Sequence, residues 1–145
     1  MAVLCFILGL IPAAIGYAII WAGRRWNFAY SIWVSVAFFI IWGLIAYLLG
    51  SKAKSIKTVV IGFNAPAFIV LLYVALQQFV LHYSVLGGNV SSFCNYFCQP
   101  TIPFSMLFIS MMKKYNYPLV ILIGFILMVI VSAVGANYGK IMHNK

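Results

Sequence analysis

Aspartate and glutamate are absent from the chain. Without them there is no acid pair, no carboxylate-lined cation pore, no carboxylate metal site and no proton relay through acidic side chains. Charge of either sign is scarce: 6% of the 145 residues are charged and 66% are hydrophobic, whereas a soluble domain carries about a quarter charged residues. Three cysteines, Cys5, Cys94 and Cys98, are too few for a disulfide framework. No phosphate loop, nucleophile elbow or haem motif occurs. His82 and Ser84, the nearest thing to a catalytic pair, would point ~200° apart on a helix. An enzyme is therefore the least favoured class, with no catalytic residue, no metal ligand set and no cofactor assigned.

What remains is a set of apolar runs with basic residues between them. The net charge is +9, but the cations sit in short clusters at the ends of apolar runs rather than along one face. Arg24, Arg25, Lys52, Lys54, Lys57, Lys113 and Lys114 read as anchors that meet anionic headgroups, so the expected partner is a lipid bilayer and not nucleic acid. The fold class is an all-α integral membrane protein forming a single helical domain over 1–145. About four transmembrane helices are expected, near 2–23, 28–49, 58–86 and 118–138, each long enough for a ~30 Å hydrocarbon core.

The first run has no basic residue before its apolar core, unlike a secretory signal, so it reads as a retained span. Gly9, Ala13 and Gly16 fall on one stripe that would let another helix approach, and Pro12 predicts a kink. The connection from Arg24 to Asn27 is so short that the second span must return beside the first. Trp21, Trp26, Tyr30 and Tyr47 lie near the run ends, where aromatic rings meet headgroups. Ser31 and Ser35 are expected to bond back to a carbonyl one turn earlier.

The third run carries the densest set of polar groups at membrane depth: Asn64, Gln77, Gln78 and His82, a polar membrane face. Intramembrane polar residues face protein or a wet cavity rather than lipid. Pro66 lacks an N–H and crowds the Gly62 carbonyl, which predicts a helix break there, with Asn64 as partner for the freed backbone group.

Residues 93–112 combine an apolar stretch with Asn95, Gln99, Pro100 and Pro103. The preferred reading is a short re-entrant or interfacial helix, with a fifth span as the alternative. Cys94 and Cys98 lie one helical turn apart, which brings their Cα atoms within disulfide range. Two free thiols are the alternative. In the last run Gly135 and Gly139 form a G-x-x-x-G so close to its end that little weight attaches to it.

These features point first to an oligomeric transporter or channel. The absence of carboxylates suits an anion or a neutral or amphiphilic solute. The alternative is an accessory, immunity or assembly subunit that packs against a larger membrane protein. The expected location is a bacterial cell membrane with both termini cytoplasmic. The charge balance is nearly even, five basic residues (Lys52, Lys54, Lys57, Lys140, Lys145) against four (Arg24, Arg25, Lys113, Lys114), so insertion in both orientations is the alternative topology.

Overall fold

A computed structural model describes residues 1–26, 31–77, 89–112 and 117–143. Every regular element among them is a helix: α1 (Ala2–Leu8), α2 (Ile11–Trp26), α3 (Ile32–Lys52), α4 (Ile56–Ala75), α5 (Asn89–Cys98), a 3-10 turn (Gln99–Thr101), α6 (Ile102–Met112) and α7 (Tyr117–His143). Helices satisfy their own backbone groups, which lipid cannot do for them. Four stretches are long and apolar enough to cross a membrane: Ala2–Arg25, Ile32–Lys52, Ile56–Ala75 and Pro118–His143. The chain is an all-α integral membrane protein.

The first of these stretches is broken where Pro12 requires it. Pro12 has no N–H and its ring crowds the carbonyl four residues back, at Leu8. There α1 ends, and α2 restarts at Ile11. The bonds Gly9 N–H to Cys5 O (2.8 Å) and Leu10 N–H to Ile7 O (3.1 Å) keep the break paired. Pro66 behaves differently, because α4 runs through it as one helix. The expected break becomes a contact surface instead: a Cβ at Gly9 would lie 2.5 Å from the Phe63 carbonyl and 3.0 Å from the Pro66 ring. Only a glycine lets α1 seat on α4 at this point.

The core is keyed by Trp42. Its indole stacks on Phe63 of α4 with centroids 3.8 Å apart and on Phe38 of α3 at 5.6 Å. Its N–H donates to the Met128 carbonyl of α7 at 3.3 Å. Below this cluster α3 and α7 run side by side in the most extensive helix contact of the fold. A Cβ on Gly135 would come within 2.5 Å of the Gly43 carbonyl, and Gly139 lies against the Tyr47 backbone. The G-x-x-x-G at the end of the last run therefore forms part of this seam, together with Gly50 against the Ala136 backbone. Position along the run said little because α3 itself ends late, at Lys52.

Both chain ends lie at one end of the bundle. Lys140 Nζ donates to the Lys54 carbonyl at 3.0 Å, beside the α3–α4 connection, and Ala2 and Cys5 pack on Gly62 near the start of α4. Arg24 and Arg25, in the last turn of α2, mark the opposite end.

The α5–α6 segment is too short in either half to cross, with 10 and 11 residues separated by the 3-10 turn. It is a shorter helical segment beside the four long apolar stretches, and it begins at Asn89, before the expected residue 93. α5 packs on α2, with Tyr96 and Gln99 against Gly16, while Thr101 and Ser105 pack on Gly124 of α7. Ser35 does not bond back along α3. Its Oγ accepts the Phe104 N–H at 3.4 Å, in the first turn of α6.

Replacing Gly135 with leucine should destabilise the fold by about 1–3 kcal/mol or more, since added methylenes in a packed seam have nowhere to go. Val134→Leu, on the exposed face of the same helix, is the control. Thermal melts in detergent should separate the two, and equal melting would refute the seam.

Candidate functional site

The polar residues of α4 divide between two environments. Asn64 is buried. Its Nδ2 donates to the Val60 carbonyl at 2.8 Å and to Ser132 Oγ of α7 at 2.7 Å, and Ser132 in turn donates to the Val129 carbonyl at 3.0 Å. Asn64 is thus a clasp between α4 and α7. The amide reaches Val60 and not the Gly62 carbonyl facing Pro66, so the expected repair of a proline break is not what Asn64 does. Asn64 Oδ1 is buried with no hydrogen-bond partner.

Gln77 sits in a π-type turn formed by Leu76 and Gln77, just past α4. Its Nε2 donates to the Tyr73 hydroxyl at 2.8 Å, and its Oε1 is buried without a partner. Thirteen positions at 100° each place Gln77 ~140° around the helix from Asn64. The two do not form one polar face. Gln78 and His82, the other members of that expected face, lie outside the described residues.

Cys94 and Cys98 are free, buried thiols. The expected bond is not made, because a turn of helix sets Cβ atoms four apart at ~5–6 Å whereas a disulfide needs ~3.5–4.5 Å. Cα distance alone was too lenient a criterion. Arg24, Arg25, Lys52 and Lys57 are exposed near the ends of their helices and Lys54 is exposed in the α3–α4 connection, while Lys113 and Lys114 lie outside the described residues.

The space around these groups is apolar. A gap lined by Ala67, Val70, Phe97, Cys98, Thr101, Ile121, Phe125 and Met128 measures about 10 Å³, room for at most one water. α4, α5 and α7 therefore close on one another at the depth of the 3-10 turn. Three open grooves have larger volumes: about 420 Å³ between α3 and α7, 340 Å³ where Phe104 meets them, and 260 Å³ between α4 and α7. Among the described residues no three histidine, cysteine or acidic side chains gather as a metal site.

Comparison with protein-family models, curated proteins and solved structures finds no match. Sequence reasoning missed Trp42 and Ser132 as partners in the polar and aromatic core. A tryptophan in mid-span, away from the headgroup belts where tryptophan concentrates, was the available signal for the first. Ser132, a hydroxyl buried deep in an apolar run, was the signal for the second.

Asn64→Leu and Ser132→Ala should each lower stability, with a coupling in a double-mutant cycle of about 0.6 kcal/mol and no more than ~1.7. Additive effects would mean that the clasp is not formed. Freshly purified protein should yield alkylated Cys94 and Cys98 only after denaturation, and an intact-mass deficit of two hydrogens in the α5 peptide would restore the disulfide.

Proposed function

We propose that this protein is a small polytopic membrane subunit that acts by packing against a larger membrane protein, in an accessory, immunity or assembly role. The observation that carries this reading is the Asn64–Ser132 clasp. It turns the most deeply placed polar residue of α4 into interhelical glue, and Pro66 is likewise taken up by α1. Both had stood as supports for a solute pathway. The outward side of α3 and α7, by contrast, offers an open apolar groove flanked by exposed Leu44 and Val134. Such surfaces suit a membrane-embedded partner, since helix association in lipid proceeds by close van der Waals packing. The proposed location is a bacterial cell membrane with both termini cytoplasmic; the position of Ala2 and Lys140 at one end of the bundle supports the two termini sharing a side.

The second reading is an oligomeric transporter or channel for an anion or a neutral or amphiphilic solute. One observation favours it: Gln77 holds a buried acceptor without a partner in a π-type turn, directly before Gln78 and His82, and π turns recur at functional sites.

Stoichiometry separates the two. Protein extracted from its native membrane in mild detergent should migrate as a complex with a different membrane protein, and should produce no solute flux when reconstituted alone. Pure homo-oligomers with flux would overturn the proposal. In a background lacking the three native cysteines, His82→Cys should resist a water-soluble thiol reagent from either side of the vesicle. Labelling would establish a wet pathway.

A further inference from the structure

The groove between α4 and α7 ends on cations. Its walls are Val60, Ile61, Ala65, Phe68, Phe125 and Val129, with Asn64. On α4, Lys57 lies four, seven and eleven residues before Ile61, Asn64 and Phe68, the spacings that share one helix face. On α7, Lys140 continues the stripe of Phe125, Val129 and Ser132, eleven residues after Val129. The two stripes converge at the end of the bundle that holds both termini. There Lys140 Nζ donates to the Lys54 carbonyl at 3.0 Å, which brings the α7 ammonium to the loop just before Lys57 and leaves two of its three N–H donors for another acceptor.

Lys54 and Lys57 are exposed. The chain contains no aspartate or glutamate, so no side chain of this protein can neutralise this cluster. The adjoining groove is apolar, and about 260 Å³ is a slot for a chain rather than for a helix ~10–12 Å across. We propose that this is a binding site for one anionic phospholipid, with an acyl chain lying over Ala65 between α4 and α7 and the phosphate held by Lys57 and Lys140. A lipid supplies both halves of what the site lacks: apolar contact along the groove and negative charge at its end. The site is distinct from the partner surface proposed above and does not depend on it.

Native mass spectrometry in neutral detergent tests this with three probes: phosphatidylglycerol, phosphatidylcholine and glycerophosphoglycerol, the first headgroup without its chains. One phosphatidylglycerol per chain should be retained, about tenfold or more above phosphatidylcholine, the preference expected of two lysines near a headgroup. The chainless headgroup should not be retained. Lys57→Gln combined with Lys140→Gln should reduce phosphatidylglycerol to the phosphatidylcholine level, whereas Arg24→Gln with Arg25→Gln, at the other end of the bundle, should leave it unchanged. Ala65→Trp fills the groove without touching a charge, and should weaken retention while the lipid-free melting curve stays in place. Equal retention of the two lipids, retention indifferent to Lys57 and Lys140, or equal retention of the chainless headgroup would each overturn the proposal. Should Ala65→Trp shift the lipid-free melt, the Lys57 and Lys140 pair, whose ammonium groups lie outside the buried core, still decides it.

Discussion

Trp42 lies where α3, α4 and α7 meet, and its flat indole fills a position that no aliphatic side chain could share among three helices. Phe63 covers one face at 3.8 Å, and the ring N–H needs an acceptor because it is buried in a dry core. The Met128 carbonyl supplies it. That single bond sets the rotation of α7 relative to α3, and with it the register that brings Gly135 to Gly43 and Gly139 to Tyr47. It also turns Ser132 toward α4, where Asn64 meets it. The seam, the clasp and the groove beside it all depend on where this one indole sits.

Lipid offers no hydrophobic drive for helices to associate, so such contacts must come from close approach and from hydrogen bonds. This chain uses both. Gly9 admits α1 to the proline face of α4, and Gly124 admits Thr101 and Ser105 of the α5–α6 segment. The hydroxyls and amides fall at the same crossings: Ser132 with Asn64, Ser35 with the Phe104 amide. Small residues bring backbones together, and short polar side chains then reach across the gap.

The missing carboxylates act at a different level. They leave the interior unable to hold carboxylate ion pairs, and among the described residues the buried polar groups are all neutral. At the bundle ends they leave every lysine and arginine to seek its counter-charge in the bilayer or in another protein. A protein of this composition is built to be completed by its surroundings, whether by headgroup phosphates or by a partner's acidic surface.

The helical membrane class and the presence of four long apolar stretches were legible from apolar length alone, because a ~30 Å core imposes the same requirement on any helix that crosses it. The break at Pro12 was legible too, since a proline's clash with the carbonyl four residues back is a local matter. The Cys94–Cys98 pairing was misjudged by a criterion that ignored where helical Cβ atoms point. Of the expected polar face only Asn64 and Gln77 are described, and they meet different surroundings, Ser132 of α7 and Tyr73 of the same helix. The sequence by itself determined which segments enter the membrane and which groups they carry, because burial in lipid depends on each segment's own chemistry. Only the tertiary structure decided that Asn64 is a clasp, that Pro66 is a seat for α1 and that Gly135 and Gly139 form a seam. Those roles belong to pairs of helices, and a pair has no signature in either member alone.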